Sequence, residues 1–339
     1  MDIHLSDAEK VFIIHGAEEG MRADGRSLFD YRPIIVETGV LATTNGSARV
    51  RLASTDLLIG VKAELTVVED FEHYRNRINF FVDCSANATP LFVGRGGEDL
   101  AVEVTSALDV AYDNPYVLPD LKKRVYYFQG RGGEDLAVEV TSALDVAYDN
   151  PYVLPDLKKL ILSPMHAWKL YVDIVILECG GNILDAAGIG VKAALRNTEI
   201  CNVIVRPADE GKCAIDLAND NTVWKMDVSR APLFVSVHKL GEANLVDASL
   251  TEEACSRCTV SVAVSPTPEC SQDGTMLNEE DCIVTMVRQS GGGSLEMDSL
   301  DEMVRMGVRM VDELQKALDK RLKEESEDID ADPSLTFLL

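Results

Sequence analysis

The chain has 339 residues and a formal net charge of −25, from 57 acidic side chains against 32 Lys and Arg. Apolar residues make up 46 %, enough for a sizeable core, while the acidity weighs against a free-standing nucleic-acid binder, which needs clustered cations to neutralise phosphate. No apolar run reaches the roughly 18 residues of a membrane helix and the charged stretch Met1–Lys10 does not have the form of a secretory signal, so a soluble intracellular protein with no membrane partner is expected.

In chain order, Pro33 to Gly39, Ala48 to Ala53, Asp56 to Leu65 and Ile78 to Cys84 read as strands, the last rich in aromatic and β-branched residues. A repeat follows. Gly94–Lys123 (GRGGEDLAVEVTSALDVAYDNPYVLPDLKK) recurs letter for letter as Gly130–Lys159, 36 residues on, with RVYYFQ between the copies. Solenoid repeats diverge at surface positions and usually number three or more. Two identical copies point instead to a duplicated exon, an isoform or an error in gene assembly. Each copy reads as an amphipathic helix, with Leu100, Val104, Ala107, Leu108 and Ala111 on one face and Asn114–Pro115 as its stop. A fold with one slot for this helix must displace the other copy.

Beyond the repeat, Trp168 to Glu178 (WKLYVDIVILE) has the composition of a strand covered on both faces. Leu184 to Leu195 reads as a helix with Asp185 as N-cap. Asn202–Arg206, Leu233–Leu240, Thr259–Val264 and Cys282–Val287 read as strands, Ser290–Ser294 as a flexible turn, and Ser299–Lys323 as a long amphipathic helix. Six carboxylates between Glu324 and Asp332 predict a disordered acidic tail over 324–339. Strands and helices interleave, so the class is mixed α/β (α+β). An N-terminal segment (1–30) precedes two strand-rich halves, 31–205 and 225–323, joined near residues 207 to 225. Among eight cysteines, Cys255 and Cys258 form a single CxxC with no second pair to complete a zinc site. Reduced thiols are expected, with no metal and no cofactor.

Several strings fall in a recognisable order: Arg22-Ala23-Asp24-Gly25-Arg26, Asn45 to Val50, Leu57 to Glu64 (LLIGVKAE), Phe80 to Cys84 with Ala86 to Pro90, Gly94-Arg95-Gly96-Gly97, Leu177 to Ala187 (LECGGNILDAA), Val246-Asp247-Ala248, and Glu252-Glu253-Ala254-Cys255. Together they resemble the RNase PH family, in the silent eukaryotic branch that builds the RNA exosome. The resemblance implies two βαβα-type halves (ribosomal protein S5 domain 2-like), here with an extra duplicated helix. It also implies a six-membered ring of related subunits, RNA threading the central channel, RNA-binding cap subunits on one face, and a place in nucleus, nucleolus and cytoplasm.

Active members of the family hold phosphate on a Gly-Gly-Ser/Thr-Arg loop. The matching stretch here is Gly180-Gly181-Asn182-Ile183, and an isoleucine can neither pair with nor donate to a phosphate. Active members also carry two aspartates just after an acidic pair, for metal binding or acid–base work. Here the pair is Glu252–Glu253 and the matching positions are Ala254 and Val260. The expected role is therefore a non-catalytic structural subunit supporting 3′→5′ RNA processing and decay, including rRNA maturation and mRNA turnover. An active phosphorolytic exoribonuclease and a non-assembling isoform are the alternatives. Gly180 and Gly181 read as a tight turn, Glu252 and Glu253 as solvated loop charges, and the five histidines, His238 among them, as ordinary surface or core residues. Arg22, Arg26, Arg49, Arg95 and its copy Arg131 are the candidates to meet RNA, against the simpler expectation that they pair with the chain's own carboxylates.

Overall fold

Alternating apolar residues build a first sheet from β1 (Ile34–Thr38), β2 (Gly46–Leu52), β3 (Thr55–Val67), β4 (Ile78–Cys84), β6 (Ile161–Ser163) and β7 (His166–Glu178). Its order is β1-β2-β3-β7-β4, with β6 on the end of β7. Among the described strands of this sheet, only the β4–β7 pairing is parallel. The structure, a computed structural model, describes residues 5–67, 78–85, 98–112, 128–129, 159–163, 166–207, 213–218, 222–266 and 282–331. Arg95, Arg131 and all of the second repeat copy except Lys159 lie outside the described residues.

Along β7, Leu170, Val172, Ile174 and Ile176 are fully buried, and Leu57, Ile59 and Val61 of β3 lie beside them. This alternation by twos puts one face of the sheet on helix α3 (Ile183–Asn197). The opposite side of α3 packs on a second sheet, ordered β13-β12-β14-β15-β5. Its strands are β5 (Phe128–Gln129), β12 (Leu233–Leu240), β13 (Ala243–Val246), β14 (Cys258–Pro266) and β15 (Cys282–Ser290). Between the halves run two antiparallel ribbons: β8 (Glu199–Cys201) with β11 (Val223–Lys225), and β9 (Val203–Pro207) with β10 (Cys213–Leu217).

Helix α3 is thus the shared layer. Its glycines permit that: a Cβ on Gly188 would stand 2.5 Å from the Phe234 ring, and one on Gly190 2.5 Å from the Ile59 Cδ1. One contiguous core runs through both sheets.

The far face of the second sheet is covered by α5 (Met297–Ala331), whose Leu300, Met303, Val304, Val308, Val311, Leu314, Leu318 and Leu322 form a buried stripe at helical spacing. This helix was expected to stop at Lys323 and give way to a disordered tail. It continues to Ala331, so much of the acidic run is helical. Two contacts favour the extension: Glu325 Oε1 accepts the Thr38 N–H at 2.7 Å, and Lys320 faces Glu324 one turn on. Among the described residues no helix is long and apolar enough to cross a membrane.

The helical slot beside β4 and β15 is filled by α2 (Glu98–Tyr112), which comes from the first repeat copy. Val104, Ala107 and Leu108 are buried, as the periodicity predicts. Phe128–Gln129, in the linker between the copies, adds a parallel edge strand to β15. Two short helices escape the sequence reading: α1 (Asp7–Glu18) and α4 (Leu250–Cys255). Each begins with Ser-x-x-Glu, at Ser6–Glu9 and Ser249–Glu252, the capping-box pattern that could have revealed them.

Candidate functional site

Strand β7 ends at Glu178 and the chain turns through Gly180-Gly181-Asn182 into α3. The turn is as tight as expected: Gly181 and Asn182 have left-handed backbone, φ 92 and φ 56. Asp185 was expected to cap the helix, but Asn182 holds that position. The Asp185 side chain instead points into the core, accepting from the Tyr31 hydroxyl at 2.8 Å and the Ser236 N–H at 3.2 Å. Burial pushes its carboxyl up to about 6 and the Tyr31 hydroxyl well above its usual value.

The loop is clamped from below by Arg32, which sequence reasoning missed. Its Nη1 donates to the Gly180 carbonyl at 2.9 Å and its Nη2 to the Gly181 carbonyl at 3.1 Å. The same guanidinium is bonded to Asp247, through Nε at 2.9 Å and Nη2 at 2.8 Å. Asp247 also accepts from Asn182 Nδ2 at 2.8 Å and Arg26 Nη1 at 2.8 Å. Burial alone would raise this carboxyl, but the Arg32 bonds outweigh it and hold Asp247 below its ordinary value. An Asp can adopt its left-handed φ of 47 more readily than most residues. No local pattern marks Arg32, because its partners lie 148 to 215 residues away.

Glu252 and Glu253 are not solvated loop charges. Glu252 is buried and receives Arg22 Nε at 2.9 Å and Nη2 at 2.6 Å. Burial raises its carboxyl, yet the Arg22 bond leaves it below the ordinary value. Glu253 Oε1 accepts the Asn182 backbone N–H at 2.6 Å. Burial pushes Glu253 up to about 7.

These groups border a cavity of about 300 Å³ between the start of α3 and the second sheet, lined by Asn182, Ile183, His238, Glu253, Thr259 and Ser261, with Arg288 and Glu103 beside them. His238 gives Nδ1 to a 3.0 Å bond with Thr259 Oγ1, while its Nε2 is buried with no partner. Burial depresses it to about 4, so it is neutral near pH 7. Arg288 lies 3.1 Å from Glu103 of α2.

Val260, matched in sequence to an aspartate of active family members, lies on the core face of β14: Thr259 and Ser261 line the cavity, and strand alternation turns Val260 the opposite way. Ala254 lies on α4 and does not line the cavity.

The arginine candidates are all engaged where they are described. Arg22 pairs with Glu252, Arg26 with Asp24 and Asp247, and Arg49 with Asp56 through two bonds of 3.0 and 2.6 Å. Of these, Arg22 is fully buried, with Nη1 and Nη2 also on the carbonyls of Val246 and Asp247.

The sequence matches the pattern of the 3′ exoribonuclease family, RNase PH type, over residues 30–201 for its first domain and 231–310 for its second. A Dictyostelium discoideum protein carrying the exosome-complex name RRP42 is 32 % identical over 332 residues, 94 % of this chain and 98 % of its own length. The exosome complex component Rrp42 of Saccharolobus islandicus is 26 % identical over 317 residues, 91 % of this chain and 94 % of its own. A solved Archaeoglobus fulgidus exosome with RNA bound to its active site contains a chain with TM-score 0.64 and 21 % identity, covering 92 % of this chain and 98 % of that one. An archaeal exosome core gives TM-score 0.62 at 20 % identity. Both structures share the fold.

Proposed function

Because this chain belongs to the RNase PH family of 3′ exoribonucleases, we propose that it is a non-catalytic ring subunit of an RNA exosome. In this reading it joins other RNase PH-like subunits in a six-membered ring, below RNA-binding cap subunits, and supports 3′→5′ processing of RNA that passes through the channel. Nucleus, nucleolus and cytoplasm are its proposed compartments.

The observation that carries the reading is the bond from the Asn182 N–H to the Glu253 carboxylate. Phosphorolysis needs an anion held by loop amides and a fixed cation. Here a loop amide already holds the chain's own carboxylate, the next side chain is Ile183, and Arg288, a guanidinium lining the cavity, faces Glu103. The wall positions on β14 carry the hydroxyls of Thr259 and Ser261 where a carboxylate would be needed. A second reading, an active phosphorolytic enzyme, draws on Glu253, which has a poise near 7 suited to acid–base work.

The test is reconstitution with the five other ring subunits, followed by incubation with single-stranded RNA and inorganic phosphate. Ring formation with no nucleoside diphosphate released is the expected result. Release that disappears on Glu253→Gln would establish the enzymatic reading instead.

A further inference from the structure

Helix α1 has two apolar faces, and the body of the chain uses one of them. On the inner side Ile13, Ile14 and Ala17 pack with Leu240, Leu245, Ala248 and Cys255 in a small core of their own, and the helix lies on α4, β12 and β13. Its ends are fixed as well. The Ser6–Glu9 capping box closes the first turn, the Met21 N–H returns to the Gly16 carbonyl at 2.8 Å, and Glu18 Oε1 accepts the Glu242 N–H at 3.2 Å. On the outer side Ala8, Val11, Phe12 and His15 are all exposed, at the i, i+3, i+4 and i+7 positions of one helical stripe. Phe12 is 71 % exposed and Val11 51 %, and Met21, just past the helix, is 62 % exposed. A helix anchored in this way presents the stripe as a fixed surface.

The stripe is bordered by acid. At about 100° per residue, Glu9 falls on one flank, Asp7 and Glu18 fall on the other, and Glu19 follows at the C-terminal end, all four exposed. Asp7 and Glu19 hold no ion pair among the described residues. Lys10, the single Lys or Arg of the helix, is half-buried on the inner side near Cys255. These charges choose the occupant. A second copy would set acid against acid in a chain of net charge −25. An anionic lipid surface or an RNA backbone would be repelled in the same way. We propose that α1 is a docking helix whose Val11–Phe12 stripe fits an apolar groove, rimmed by Lys or Arg, on a protein partner. An amphipathic helix laid into a groove by anchors at this spacing is a recurrent mode of recognition. Phe12 is the central anchor, and Asp7 and Glu19 meet the cationic rim. The proposal does not depend on whether the chain is catalytic.

The test places the photoreactive p-benzoylphenylalanine at position 12 of the full chain, tagged and expressed in cells. The cells are illuminated before purification, and the adducts are mapped by mass spectrometry. The same label in place of Gly292, where a side chain meets open space, is the control. One protein adduct is expected from position 12 and not from position 292, attached at an apolar residue flanked by Lys or Arg. Glu19→Lys, at the helix end that tolerates a cation, should cut its yield several-fold. Phe12→Ser, without the label, should cut co-purification of the same protein about 10-fold or more. Both changes fall on exposed side chains, so thermal melts of the purified variants should match the parent. Adducts with a second copy of the chain, with RNA or with lipid alone overturn the proposal. So do the absence of any adduct, attachment at an acidic surface, and a yield that neither substitution changes.

Discussion

The Glu253 carboxylate sits 2.6 Å from the Asn182 backbone nitrogen, so the positive end of α3 is answered from within the chain. Burial holds the Glu253 proton to about pH 7. A carboxyl raised in the folded state contributes its full stability below its unfolded value, near 4.5, and loses it as pH rises through about 7. Glu253→Gln keeps an acceptor for Asn182 and cannot ionise. The variant should match the parent near pH 5 and exceed it by about 2 kcal/mol near pH 8, measured by denaturant melts at both values. Equal stability at both would mean that the charge is not disfavoured there.

Arg22 and Glu252 form a buried pair fastened by two short bonds. Removing one partner strands the other charge without water. Arg22→Met and Glu252→Gln should each cost about 3–5 kcal/mol. The double variant should lose clearly less than the sum, because the stranded charge is absent from it. Urea unfolding of the three variants gives the coupling; strict additivity would refute it.

Gly188 sits under the Phe234 ring, with no room for a methyl group. Gly188→Ala should cost about 1–3 kcal/mol through overpacking. Gly292 has open space where a Cβ would go, so Gly292→Ala should change stability by less than about 1 kcal/mol. Thermal melts of the two variants side by side check the contrast.

Deleting residues 124–159 leaves Lys122-Lys123 joined to Leu160, the same local sequence as Lys158-Lys159-Leu160. The first-copy helix α2 already fills the slot beside β4 and β15, so the core should fold unchanged, with the edge strand Phe128–Gln129 lost from the second sheet. The shortened chain should keep its melting temperature and enter a six-membered ring, followed by size exclusion with light scattering beside the full chain. A collapse in stability would show that the second copy supplies part of the core.

Much of the scaffold could be read directly. The run WKLYVDIVILE became β7, and the apolar stripes of α2 and α5 face the core, because these features repeat within a few residues. The site was less legible because it is assembled across the chain. Glu252 looks like a surface charge until Arg22, 230 residues earlier, is brought beside it. Asp185 looks like a cap until Tyr31 and Ser236 draw it inward. The direction of Val260 is not visible in the sequence; the pleat of β14 turns it to the core side, leaving Thr259 and Ser261 at the cavity. Counting along a chain gives spacing; it does not give the face of a strand.

The placement of α3 between two sheets also bears on how this chain can change over time. A helix with one sheet behind it and solvent in front can drift on its open side. Here each substitution along Ile183–Leu195 is judged by both neighbours, Ile59 and Val50 on one side and Phe234 on the other. The outer ribbons β8–β11 and β9–β10 face no such double test. Inherited novelty is most easily accommodated where only one neighbour has to agree.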